Sequence, residues 1–304
     1  LIFTSNWKTG TGNPAPKGKR TMRKLVIIGY KLTLVGALIL FLTIFLRVFI
    51  ISSFKIPTPS MTPAILPGDY ILVNKLIIGP RLFKNFNFLK GEKVETFRLP
   101  GFRKIKRNDI LVFNFPYSNC DQLRMDINVY YLKRCIAIPG DTFYIDNGFY
   151  HVKGCNDTLG NYDNQLALSR QKNTIWAFRT FPYEGQHYWT MKTFGPLYIP
   201  KANDVLSIDT STIALYKRLI EYETDKRITV NKGDILLDKQ PLTRYRFRRN
   251  YYLMAGDNVF DSRDSRFWGL LPDDHIVGKA MRIWKSVDPA SGKLRYDRLL
   301  RKIK

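Results

Sequence analysis

The feature that most constrains this chain is LTLVGALILFLTIFLRVFII, Leu32 to Ile51, twenty consecutive residues whose only charge is Arg47. As a helix rising 1.5 Å per residue, such a run spans ~30 Å, the hydrocarbon thickness of a bilayer. Arg47 lies near its far end, where a long side chain reaches the interface while its stem stays in lipid. The run is longer than the apolar part of a cleavable leader and lacks a small-x-small exit, which separates it from a signal peptide. One transmembrane helix over 32–51 is the expectation.

Charge sets its orientation. The first 55 residues carry nine Lys/Arg and no Asp or Glu, and seven of the nine precede the apolar run. Cationic flanks stay on the cytoplasmic side, so 1–31 reads as a basic cytoplasmic arm and everything from Ser52 onward as extracytoplasmic, in a single-pass protein of the cytoplasmic (inner) membrane. The whole chain has 49 basic and 25 acidic residues, a net +24 over 304 residues. That excess invites a nucleic-acid reading, but much of it sits in the anchor region and the tail Lys293–Lys304, and no recognised binding motif accompanies it. The bilayer is the expected anionic partner, with no nucleic acid. The tail itself reads as a solvated basic end, 287–304.

Beyond Ser52 the sequence breaks into short β-rich runs bounded by Gly, Pro, Asn and Asp, at 69–77, 109–116, 129–138, 142–152, 250–258 and 274–284. Asp146-Asn147-Gly148 between aromatic arms marks a hairpin. The best helical pattern is Thr210–Thr224, with apolar positions Ile213, Leu215, Leu219 and Ile220. The fold class is therefore mainly β: an antiparallel sheet built from 52–141 and 250–286, interrupted by an inserted second domain at 142–249. Within the insertion, RYRFRR (244–249) reads as a strand with a solvated basic face. Cys120, Cys135 and Cys155 allow one disulfide, Cys120 with Cys155 if a bridge forms, because Cys135 lies inside an apolar strand. The three histidines are far apart and no metal-ligand spacing occurs, so no metal and no cofactor are expected.

Ser60 sits in PTPSMTP, where three prolines stiffen an extended backbone just after the apolar run. That string alone is equally compatible with a turn serine and with a mounted nucleophile. A nucleophilic serine needs a base, and no histidine lies in a recognisable motif. Lys133, in VYYLKRCIAIPGD, could serve if burial lowered its pKa from ~10.4 by several units; most strand lysines instead face water.

Four segments in order, SFKIPTPSMTPAILPGDYILVNK (53–75), RNDILVFNFP (107–116), YLKRCIAIPGD (131–141) and GDNVFDSRDSRFWGLLPDDHIVGKA (256–280), resemble the conserved boxes of bacterial type I signal peptidases, or leader peptidases. With the preceding anchor, the resemblance covers roughly residues 20–286 apart from the insertion. It implies a monomeric serine endopeptidase with a Ser-Lys dyad that cleaves signal peptides from exported preproteins after small-x-small sites. A peptidase dedicated to one secretion substrate, or an idle scaffold, are the alternatives. By matching position, the resemblance implies Ser60 as nucleophile and Lys133 as general base, with the Ser60 N–H and the Thr58 hydroxyl as oxyanion donors. Ser262 and Asp264 would support the lysine, and Asp257, Arg266 and Arg134 would form structural ion pairs. Ile56, Pro57, Ile65, Tyr131 and Leu132 would wall the substrate subsites. Val259 and Phe260 stand where more polar residues are common. Trp268 and Trp284 are candidates for either the membrane interface or the core.

Overall fold

A computed structural model describes residues 17–90, 93–117, 122–172, 179–231 and 233–303. Two units emerge, 1–47 and 48–304. The described part of the first is α1 (Lys17–Phe45), which a π-helical turn, Leu46–Ile50, extends. Met22–Ile50, with a mean hydropathy of 2.5, is long and apolar enough to cross a membrane, and none of its most apolar stretch is buried by protein. The helix therefore begins well before Leu32, because Lys31 interrupts the apolar sequence without interrupting the helix. Ile51, expected to end the helix, is already the first residue of a strand.

The second unit is built on a seven-stranded antiparallel sheet in the order β1-β2-β17-β5-β6-β15-β16. Its strands are β1 (Ile51–Lys55), β2 (Asp69–Asn74), β5 (Ile110–Phe115), β6 (Asp126–Ala137), β15 (Tyr251–Ala255), β16 (Leu271–Pro272) and β17 (Ile276–Ser286). A small hairpin, β3 (Arg81–Phe83) and β4 (Thr96–Arg98), leaves the sheet after β2. Residues 142–249, expected as an insertion, fall within the same compact unit and carry β7 (Thr142–Asp146), β8 (Phe149–Val152) and β9 (Phe194–Tyr198) in one sheet, the pair β10 (Val205–Ser207) and β14 (Arg244–Arg246), and the three-stranded β11 (Ile228–Asn231), β12 (Asp234–Leu237) and β13 (Gln240–Pro241). The same residues carry the helices α2 (Tyr162–Ser169) and α3 (Ile213–Thr224); α4 (Ser265–Trp268) follows β15.

The central strands are buried on both faces, which explains their near-continuous apolar runs. Along β5, Ile110 and Val112 join a layer containing Met61, Ile65, Ile71 and Leu132, while Leu111 and Phe113 join the larger core on the other side. That larger core runs without a break from Cys135, Leu253 and Ile276 into Phe143, Leu197 and Leu219 of the insertion. The β7–β8 turn places Asn147 at φ 45° and Gly148 at φ 88°, the left-handed pair that a two-residue hairpin requires. All four apolar positions expected on the Thr210–Thr224 helix are buried in α3. In 244–247 burial alternates, with Arg244 and Arg246 exposed and Tyr245 and Phe247 buried. Trp268 is buried, whereas Trp284 is partly exposed and donates through Nε1 to Ser53 Oγ at 2.8 Å.

The C-terminal segment corrects the expectation of a solvated tail. Ile283 and Ile303 donate to the carbonyls of Arg301 and Met281, binding the segment along β17, and Arg298 is buried. The reason is a buried partner, Asp69, that the tail's own sequence does not reveal. Of the cysteines, Cys135 is a buried free thiol that burial pushes well above its usual range. The Cys120–Cys155 pairing involves a residue outside the described ones, Cys120.

Candidate active site

The turn that carries Ser60 follows β1 and is pinned from within and without. Thr62 N–H donates to Pro59 O at 2.9 Å and Ile65 N–H to Met61 O at 2.9 Å. From the loop after β15, Asn258 N–H donates to Ser60 O at 3.1 Å and its side-chain amide to Pro59 O at 3.4 Å. Met61 and Ile65 plug into the apolar layer under the turn, so the backbone is held by burial on one side and hydrogen bonds on the other.

Lys133 reaches this turn from β6. Its residue is 4% exposed and its Nζ lies 2.6 Å from Ser60 Oγ. Burial is the largest influence on the amine and lowers its pKa to about 8; Arg266 works in the same direction, while Asp264, Asp261 and Asp257 oppose it. A primary amine poised there is within reach of the neutral, proton-accepting form at physiological pH. Thr58 Oγ1 lies 3.5 Å from Ser60 Oγ. Among the described residues, the Ser60 N–H donates to no protein acceptor, which leaves that donor available to a ligand.

Behind the pair stand two buried ion pairs. Arg134, next to Lys133, holds Asp257 by Nε–Oδ1 and Nη2–Oδ2 contacts of 2.7 Å each. Arg266 holds Asp264 through Nε–Oδ1 at 2.8 Å and Nη2–Oδ2 at 2.7 Å, and Asp264 also accepts the Gly256 N–H at 2.9 Å. Burial by itself would raise the Asp264 carboxyl, but the Arg266 charge and hydrogen bonds outweigh it and hold the group below its usual range. Ser262 Oγ is buried with no hydrogen-bond partner among the described residues. It abuts Gly256, where a Cβ would stand 2.2 Å from Ser262 Oγ and 2.5 Å from Ser60 O, so only glycine lets these two loops close on each other. Val259 is apolar because it is buried, and its carbonyl accepts from the Arg266 guanidinium at 3.4 Å.

A cleft of about 530 Å³ opens over Ser60 and Lys133. Ile56, Pro57, Tyr131 and Leu132 line it, together with Thr58. Ile65 does not: it is fully buried in the layer beneath. Lys55, Pro59 and six residues not expected in the subsite walls, Phe54, Met61, Val112, Tyr130, Asp261 and Arg263, also line the cleft. Gly256 and Asn258 were not singled out by the sequence reading, although both lie in the quoted GDN string; what marks them is a close backbone approach that no local pattern encodes. Among the described residues, no histidine lines the cleft. His275 is fully buried against Asp274, His151 stacks on Tyr144, and His187 bonds Ser211 O.

Comparison with known proteins identifies the family. The family model described as "Signal peptidase, peptidase S26" matches residues 28–285. The chain is 29% identical over 262 residues to signal peptidase I of Buchnera aphidicola subsp. Acyrthosiphon pisum, covering 82% of this chain and 74% of that one. It is 27% identical over 252 residues to the enzyme of Buchnera aphidicola subsp. Schizaphis graminum (82% and 72%) and 28% identical over 259 residues to that of Pseudomonas aeruginosa (82% and 69%). Because the match runs from the apolar helix through every strand of the main sheet, this chain belongs to the signal peptidase family, peptidase S26, and is a hydrolase.

Proposed function

We propose that the protein is a membrane-anchored endopeptidase that removes signal peptides from exported preproteins after small-x-small sites, with Ser60 as nucleophile and Lys133 as general base. The observation that carries the reading is the 2.6 Å approach of a buried, neutralisable lysine to the Ser60 hydroxyl. In the first step Lys133 Nζ takes the hydroxyl proton as Oγ bonds to the scissile carbonyl carbon. The charge that develops on the carbonyl oxygen is met by the Ser60 N–H and the Thr58 hydroxyl, donors of a kind that contribute ~3 kcal/mol each in comparable sites. The resulting ammonium returns its proton to the leaving amine. Water then attacks the acyl ester, with Lys133 again accepting the proton, and Ser60 is regenerated. Asp264, fixed by Arg266, and Asp257, fixed by Arg134, hold the surrounding loops, and Ser262 fills the space against Gly256.

The substrate would lie extended. Among the described residues, β1 pairs only with β2, and β6 pairs with β15 only through Arg134–Ala137. Two strand edges therefore flank the cleft, ready to hydrogen-bond a peptide main chain, while Ile56, Pro57, Tyr131 and Leu132 bound its side-chain subsites. The apolar helix would anchor the enzyme with its N-terminus in the cytoplasm and the sheet on the extracytoplasmic face. The protein would act there as a monomer.

The test is cleavage of a short secretory preprotein by the detergent-purified full chain, with product termini read by mass spectrometry. Wild type should cut after a small-x-small site, and S60A should lose ~10³-fold or more in kcat. Equal cutting by both proteins would remove Ser60 from the mechanism.

A further inference from the structure

Residues 142–249 touch the segment after β15 through the Phe181 N–H, which donates to Arg266 O at 2.8 Å, and through one side chain of α2. Asn161 caps this helix, its Oδ1 accepting from Asn164 N at 2.9 Å. One residue further on, Gln165 is buried, accepts the Tyr150 N–H at 2.8 Å and donates to Leu159 O at 2.6 Å. Asn108, at the foot of β5, holds the irregular approach to the helix by accepting from Gly160 N at 2.9 Å and donating to Thr158 O at 2.8 Å. The backbone beneath Asn164 is thus fixed on several sides. From this mount the Asn164 carboxamide donates to Asp257 O at 2.7 Å and to Thr62 O at 3.3 Å. Thr62 is two residues past Ser60, and Asp257 is the residue whose carboxylate Arg134 holds.

We infer that Asn164 is a positioning residue of the catalytic site, bridging the nucleophile turn to the loop behind Lys133 and so fixing the separation of Ser60 from Lys133. The inference rests on the reading of these two residues as the catalytic pair. Asn258 ties the same two loops on the near side of Ser60, at Pro59 O and Ser60 O, whereas Asn164 ties them on the far side, at Thr62 O. Met61 and Ile65 hold the turn from below, but without the Asn164 tie its far side can shift against the loop behind Lys133, and a misplacement of ~1 Å costs up to ~10²-fold in rate. The same slack lets water approach Lys133, which favours its charged form.

The experiment measures kcat and KM for preprotein cleavage by the full chain across the titration of Lys133, for wild type, N164A, N164D and S60A, with thermal unfolding alongside. N164D keeps the size of the side chain and suits the first turn of a helix, but its carboxylate has no N–H to donate, so it decides the matter if N164A fails to fold. Both variants should lose ~10-fold in kcat, equivalent to about 1.4 kcal/mol of barrier, with KM unchanged and the acid limb of the profile moved to higher pH. A folded N164D with wild-type kcat and pH profile, or one with only a lower Tm, overturns the proposal. If S60A cleaves like wild type, the catalytic pair itself is wrong and the proposal falls with it; if S60A is inert and N164D is unaltered, only the positioning role falls.

Discussion

Lys133 is the residue on which the proposed chemistry and the stability of the fold pull against each other. Burial lowers its pKa from 10.5 to about 8, so the neutral amine is favoured in the folded protein more than in the unfolded chain. The unfolded state therefore binds more protons between these two values, and stability rises with pH across the window from about 8 to 10.5. Below it the fold carries a buried ammonium, a cost of about 3 kcal/mol at ~1.4 kcal/mol per pKa unit. Activity follows the same titration: kcat/KM should climb through an apparent pKa near 8 and level off above it. Replacing Lys133 with Met should abolish cleavage yet raise stability at neutral pH, with the gain shrinking as pH approaches 10.5. A pH-rate profile and denaturant titrations at two pH values check both halves together. An acid limb near the ordinary lysine value, or a Met variant less stable than wild type at pH 7, would contradict the assignment.

At the scale of elements, the C-terminal segment stabilises the stretch of chain that follows the Ser60 turn. Arg298 contacts the fully buried Asp69 through Nε–Oδ1 at 3.0 Å and Nη2–Oδ2 at 2.6 Å, and donates to Ala64 O at 3.1 Å. Arg295 adds a bond to Pro67 O at 3.0 Å. Burial alone would raise the Asp69 carboxyl, but Arg298, Ser286 and the Leu66 N–H together hold it below its usual range. R298A leaves that carboxylate buried and unpaired, so it should destabilise the protein by ~3–5 kcal/mol, read from urea unfolding of the full chain. A change under ~1 kcal/mol would mean that water replaces the guanidinium. This contact also marks where the sequence stops being legible. The main-sheet strands announce themselves by apolar and aromatic runs between turn residues, and α3 by its apolar residues; the strings around Ser60 and Lys133 point to these two residues only through their family resemblance, and the fold brings them within 2.6 Å. Asp69–Arg298 and Asn164–Thr62 join residues from distant parts of the chain, and although Asp69 and Thr62 lie in the 53–75 segment, Arg298 and Asn164 stand in strings that do not differ from ordinary solvated ones. Ile65 fails for a related reason: an apolar residue near the nucleophile can face the substrate or plug the layer below, and only the turn geometry decides.

For the whole molecule, the apolar helix and the charge distribution bear on the proposed arrangement in the membrane. The most apolar stretch of Met22–Ile50 is covered by no protein, and such a surface in water would be a strong liability to association. Lipid removes that cost, since each buried apolar side chain gains roughly 1.5–3 kcal/mol on leaving water. Seven cations before the apolar run, with none of the first 55 residues acidic, support the proposed orientation, in which the basic arm lies on the cytoplasmic side. Under this arrangement a substrate's apolar signal segment lies in the same bilayer as the anchor, and its cleavage site emerges on the side where the cleft works. The full chain expressed in a bacterial host should resist extraction from membranes at alkaline pH. In spheroplasts, added protease should degrade the unit beginning at Val48 while sparing the basic N-terminal arm. Release into the alkaline supernatant would sink the anchor; protection of the catalytic unit until the membrane is permeabilised would leave the anchor standing and reverse the orientation.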